Sequence, residues 1–240
     1  MSVSKSLLFE HEYEINENIR IQIPTLREIL EFGESKYYGL VTTLTSMPID
    51  MLVELDDLGI DYTEINDYEL FCLFFPILKT QDTRLVFGDL DLTKFEPAIN
   101  EQNGTLVMID QENDIMIDRA IQVQIADVLR KIHHLEKNIR KPANEEAKRY
   151  LLERARRKRK RNKNNTDTSQ LESLIVAMVN TEEFKYNFDN VKDLTIYQFN
   201  ESVRQIIKKV DFNNKMIGVY AGTVDAKTLS QDDLNWLIHK

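Results

Sequence analysis

The chain has 240 residues, 42% of them hydrophobic and 30% charged, with a formal net charge of −9. These are ordinary globular proportions, enough for one large domain or two modest ones, and they exclude wholesale disorder and a membrane-embedded chain. The charge is unevenly spread: residues 1–147 carry 13 basic and 28 acidic side chains (−15), residues 148–163 carry 10 and 1 (+9), and residues 164–240 carry 8 and 11 (−3).

The opening MSVSKSLLFEHEYE lacks the apolar core and small-residue cleavage site of a signal peptide, and no later run approaches the roughly 18 apolar residues that span a bilayer. Phe9, Tyr13 and Ile15, then Ile19, Ile21 and Ile23, alternate at period two around Asn16-Glu17-Asn18, which predicts a β-hairpin. Thr25 with Glu28 forms a capping box that opens a helix, with Leu26, Ile29, Leu30 and Tyr37 on one side. A second helix follows Met47-Pro48 and ends at Gly59. A third starts at Asn66-Asp67, and Pro76 should kink or shorten it. Cys72, the one cysteine, lies in LFCLFFPIL and reads as a small buried hydrophobe in a reducing compartment.

The period then changes. LDLTKFEPAI and TLVMIDQENDIMI read as strands, with Asn103-Gly104 as the hairpin turn between them. From Asp118 the helical period returns: Ile121, Ile125, Val128, Leu129, Ile132 and Leu135 form an apolar stripe that Lys141-Pro142 should break. A further helix starts at Asn144 or Glu145 and carries the basic run. NKNNTDTS, residues 162–169, reads as a polar linker. Beyond it, Ser169 caps a helix bearing Leu171, Leu174, Ile175 and Met178. Thr195 with Gln198 opens another bearing Phe199, Val203, Ile206, Ile207 and Val210, and a last short helix from Ser230 contains Leu234, Trp236 and Leu237. The expected architecture is α+β: a mixed helical and β-hairpin body over 1–147, a long basic helix with a polar linker over 148–169, and a small all-α module over 170–240.

Little in the chain points to catalysis. Asp89 and Asp91, at i and i+2 on the expected strand, face the same way and could hold Mg²⁺, but neither a phosphate loop nor a histidine cluster accompanies them. Asp56-Asp57 reads as a solvated helix end. His133 and His134 are consecutive, about 100° apart on a helix, so one edges the apolar stripe and the other faces water. His11 and His239 lie near the termini. The glycines form no GxGxxG or GxxxxGK pattern. The expectation is a protein that is not an enzyme, with no cofactor and no metal.

The basic run is the strong signal. A helix polar on all faces offers no stripe to bury and reads as a strut or a partner-binding segment. Arg154, Arg156, Arg157, Lys158, Arg159, Lys160 and Arg161 would meet a polyanion or an acidic protein surface, including the −15 body of a neighbouring copy. After Tyr150 no aromatic residue interleaves to stack on bases, which disfavours single-strand recognition and places nucleic acid second.

Four stretches, IPTLREILEFGESKYYGLVTTLTSMPIDM (23–51), LGIDYTEINDYELF (58–71), LVFGDLDLTKFE (85–96) and MIGVYAGTVDAKTLSQDDLNWL (216–237), resemble virion-morphogenesis proteins of tailed bacteriophages of Gram-positive hosts. The resemblance covers about a third of the chain and implies a tail assembly chaperone in the host cytoplasm. Its partner would be a tape-measure or tail tube protein, and the chain could also self-associate. It supplies no functional residue position by position. Phe199, Ile206, Tyr220 and Trp236 in the C-terminal module are the candidate partner-binding residues. The alternatives are a phage nucleic-acid-binding protein that uses the 148–163 helix, or a neck or tail component retained in the virion.

Overall fold

The predicted hairpin forms as β1 (Glu12–Glu14) and β2 (Arg20–Gln22), antiparallel, with Tyr13 opposite Ile21. Asn16 closes its turn, the side-chain oxygen accepting from the amides of Asn18 and Ile19 at 3.0 and 2.8 Å. The computed structural model describes residues 6–100, 104–162 and 169–237. Ile19, Ile21 and Ile23 are fully buried, whereas Phe9 is 80% exposed because it precedes β1, and Leu7 takes the interior place instead.

The expected single helix from Thr25 is two: α1 (Leu26–Phe32) and α2 (Glu34–Thr45). Gly33 between them has φ of 102°, a conformation open to glycine and costly for L side chains. A 3₁₀ turn (Pro48–Met51) leads into α3 (Leu52–Asp57). Asn66 caps α4 (Asp67–Leu78): its side chain accepts from the amides of Tyr68 and Glu69, while the Glu69 carboxylate accepts from the Asn66 amide at 2.7 Å. Pro76 has no N–H to continue the ladder, and α4 stops two residues later. The one-turn helix α5 (Arg84–Phe87) is too short to show a period and went unpredicted.

β3 (Glu96–Ile99), β4 (Leu106–Asp110) and β5 (Ile115–Ile117) form an antiparallel meander, with Ala98 opposite Val107 and Met108 opposite Ile117. Asn103 lies outside the described residues. Residues 90–95 are not strand, because Asp91 caps a 3₁₀ turn over Leu92–Lys94. Asp110, 2% exposed, closes the β4–β5 turn by accepting from the Glu112 amide and from Asn113 Nδ2, and these bonds hold its carboxyl below the usual range. Tyr68 ties α4 to the sheet, its hydroxyl 2.9 Å from the Leu106 carbonyl and 3.0 Å from that of Ile117.

Asp118 caps α6 (Arg119–His133) by accepting from the Ile121 amide at 2.8 Å. Ile125, Val128, Leu129 and Ile132 are buried as the period requires, and Ile121 is half-buried. Leu135 is exposed: His134 adopts a left-handed conformation (φ 53°) and ends the helix well before Lys141-Pro142. The buried Arg130 donates to the Thr45 carbonyl at the end of α2, filling one of the acceptors a helix C-terminus leaves open. The basic run forms α7 (Glu145–Asn162).

Contacts divide the chain into two units, residues 1–24 with 28–169, and residues 25–27 with 170–240. In the second unit, α8 (Gln170–Val179) buries Leu171, Ile175 and Met178. α9 (Ile196–Tyr220) opens on the predicted capping box, with Thr195 Oγ1 accepting from the Gln198 amide at 3.2 Å and the Gln198 side chain accepting in return. Residues 25–27 join this unit through the amide of Leu26, which donates to the Leu194 carbonyl at 3.0 Å, and through Arg27 on Asp193 at 2.8 Å. No helix forms over 230–237. Asp233 and Ser230 cap one another across a single turn, and the turn goes no further. Of the expected linker, residues 163–168 lie outside the described residues. The fold is α+β, with helices predominating over two small antiparallel sheets.

Candidate interaction surfaces

Asn144 starts α7 by accepting from the Ala147 amide at 2.8 Å. The expectation that this helix has no stripe to bury does not hold. Lys148, Leu152, Ala155 and Arg159 recur at helical spacing, and Leu152 and Ala155 pack on the cluster of Leu52, Val53, Leu55, Tyr62 and Leu70. Two alanine- and leucine-sized contacts are easily lost to the eye among ten cations, yet they choose the inward face.

Charge then fixes that face. The Lys148 ammonium donates to the Asp61 carboxylate, and this bond depresses the Asp61 pKa to about 2. Arg156 Nη2 lies 2.5 Å from Asp56 Oδ2 and 2.6 Å from Asp57 Oδ1. Arg159 Nη1 lies 3.3 Å from Asp57 and 3.6 Å from Glu54. The hydrogen bond from Arg156 is the main cause of the lowered Asp57 pKa. An acidic surface does meet the basic run, but it belongs to the same chain, and Asp56-Asp57 is its anchor. The other side of α7 stays outward. Arg154, Arg157, Lys158, Lys160 and Arg161 are exposed; Arg157 pairs with Glu153 of its own helix at 3.7 Å, and the other four have no ion pair among the described residues.

In the second unit the four partner-binding candidates separate. Phe199 is fully buried, its ring edge-on to Phe184 at 6.0 Å, so it is core and has no surface to offer a partner. Ile206 is half-buried, Trp236 is 44% exposed, and Tyr220 is 87% exposed. After Tyr220 the chain folds back along α9. Gln205 donates to the Trp236 carbonyl (2.7 Å), Lys208 to the Asp232 carbonyl (2.6 Å), and Lys215 to Asp233 Oδ1 (2.5 Å). Gly218 permits the tight start of this return: a Cβ there would lie 2.7 Å from Val224 Cγ2. Ile207, Val210 and Ile217 are left on the surface.

The candidate chemical groups do not converge. Asp89 sits in a turn and Asp91 spends its carboxylate on the amide and hydroxyl of Thr93, so the same-side strand geometry expected of them is absent. Among the described residues no group of three or more His, Cys, Asp or Glu is placed to hold a metal ion, and no helix is long and apolar enough to cross a membrane. His133 does edge the core: its Nε2 shares a 2.9 Å hydrogen bond with Tyr37 Oη, and burial lowers its pKa to about 4. His134 is also half-buried, not water-facing, while His239 lies outside the described residues. Cys72 is half-buried on α4, its thiol pKa raised by burial. A cavity of about 580 Å³ at the foot of α7 is lined by Asp67, Arg119, Lys137 and Lys148. Asp67 already holds Lys137 at 2.9 Å and Arg119 at 3.7 Å, so its carboxylate is taken up by these two cations.

Residues 160–239 match the family model described as the YomV second domain. The match makes the C-terminal third of the chain similar to a domain of a phage-derived family. No curated protein and no solved structure matches the chain.

Proposed function

We propose that the protein is a non-enzymatic phage assembly factor that works by protein–protein binding, a tail assembly chaperone for a tape-measure or tail tube protein in the host cytoplasm. One observation carries the reading. Of the 22 large hydrophobic side chains exposed among the described residues, 11 lie in residues 170–237, the part that resembles a phage-derived domain. The concentration of uncovered apolar groups in this unit supports the reading that it meets a partner. Tyr220 and Trp236, with the neighbouring Leu234 and Leu237, supply the aromatic and aliphatic anchors that interface centres favour. Co-expression of the full chain with tape-measure or tube fragments should give a complex that co-elutes in size-exclusion chromatography, weakened by Tyr220→Ser with Trp236→Ser. Separate elution of all fragments defeats the reading. Mass spectrometry of purified particles distinguishes a chaperone, which leaves before completion, from a neck or tail component, which stays.

A second reading has its own observation, the exposed cations on the outward side of α7. It predicts duplex binding that weakens steeply between 50 and 200 mM salt and is lost when Arg154, Arg157, Lys158, Lys160 and Arg161 become Gln. Filter binding at 50 mM salt decides it.

A further inference from the structure

The surface left bare on α9 has a period. Val203, Ile207, Val210, Asn214 and Ile217 are spaced 4, 3, 4 and 3 residues apart, the seam spacing of a heptad helix pair. Val203 is half-buried and the other four are exposed, with Ile207 at 62% and Ile217 at 65%. The returning tail bonds to Gln205, Lys208 and Lys215, which point to the opposite side of the helix at 3.6 residues per turn. These bonds hold the tail to the back of α9, Val224 packs on Gly218 beside the end of the seam, and the seam itself stays uncovered among the described residues.

Asn214 identifies what covers it. Against an aliphatic partner helix its amide would be buried without hydrogen bonds, which is costly. Against the same position of an identical helix running parallel and in register, one amide donates and the other accepts, and the polar layer is satisfied. With Ile207 and Asn214 at the first core position of each heptad, and Val203, Val210 and Ile217 at the fourth, this is the arrangement in which a single asparagine sets register and two-strand state. We infer that the open seam of α9, Val203 to Ile217, pairs with the same seam of a second copy of this chain as a parallel, in-register two-helix coiled coil. The seam is short, about 21 Å of helix, so the dimer is of micromolar strength and exchanges readily. The inference rests on the reading of the second unit as an interaction module and names what one face of it binds.

Sedimentation equilibrium of the full chain from about 5 to 300 μM, well above a micromolar constant, should show mass rising from 28.2 kDa to twice that value. Ile207→Asp with Ile217→Asp should raise the dissociation constant by at least roughly 100-fold while leaving far-ultraviolet circular dichroism unchanged, since both side chains are surface groups in the monomer. Asn214→Val should tighten association and let trimers appear. In a Cys72→Ala background, Ile217→Cys should form an interchain disulfide under mild oxidation and Arg204→Cys should not. A chain that stays monomeric at 300 μM, or a dimer unaffected by the aspartates, overturns the inference. The tape-measure test is separate. If the monomeric aspartate variant still captures the fragment, the proposed function stands without any role for the dimer; if the dimer forms and no fragment binds, the pairing stands and that function falls.

Discussion

Arg156 on α7 places Nη2 2.6 Å from Asp57 Oδ1 on α3, and with Lys148 and Arg159 it turns three of the ten cations of the basic run back onto their own protein. The acidic body and the basic helix, opposite in sign and separated in sequence, neutralise one another locally. The cations still available to a partner are those on the outward side. Any polyanion that binds α7 meets a helix already anchored by Leu152 and Ala155.

Changing Arg156 and Arg159 to Gln should loosen the second half of α7 without unfolding the body. Hydrogen exchange of amides 152–161 should quicken roughly three- to tenfold, since exposed pairs contribute modestly. Salt at 0.5 M should do the same to the native chain and add little to the variant. Leu152→Asp should loosen the same segment at every salt concentration.

His133 gives the body an acid-sensitive element. Its pKa is lowered to about 4 in the fold, below the roughly 6.5 of an exposed imidazole, so between these values the unfolded chain binds the extra proton. Stability from this group is intact above about pH 6.5 and falls as pH drops toward 4, by up to about 3 kcal/mol. Denaturant midpoints measured from pH 7 to 4 should fall less steeply for His133→Gln than for the native chain.

Phe199→Ala should cost about 3–5 kcal/mol and melt the second unit, because the ring is fully buried against Phe184. Tyr220→Ala should change stability by less than about 0.5 kcal/mol, as expected of a side chain that is 87% exposed. Thermal melts of the two variants separate core from surface.

Asn66→Ala removes the cap of α4 and should cost about 1 kcal/mol, whereas Asn66→Asp, which keeps the accepting oxygen, should recover most of it. Chemical denaturation with an unchanged m-value checks both.

Local sequence determined the elements whose causes are local. The hairpin isoleucines, the Thr195 capping box, the start of α4 at Asn66-Asp67 and the buried stripe of α6 after Asp118 were legible because period and capping chemistry act within a few residues. Gly33 and His134 show the limit. Each takes a left-handed backbone that breaks a helix, and no neighbouring proline or glycine cluster marked the second of them.

The sites were less legible, because exposure is settled by what packs on top. Phe199 and Ile207 belong to the same apolar helix pattern, yet one is sealed by Phe184 and the other lies bare. Composition alone announced that a +9 segment sits in a −15 surrounding, while only the fold turned Lys148, Arg156 and Arg159 inward and Arg154, Lys158 and Arg161 outward. Sequence dictates which residues can share a helix face, since 3.6 residues per turn is a local constant. Which face meets carboxylate, core or water depends on residues about a hundred positions away, and tertiary structure alone brings them together.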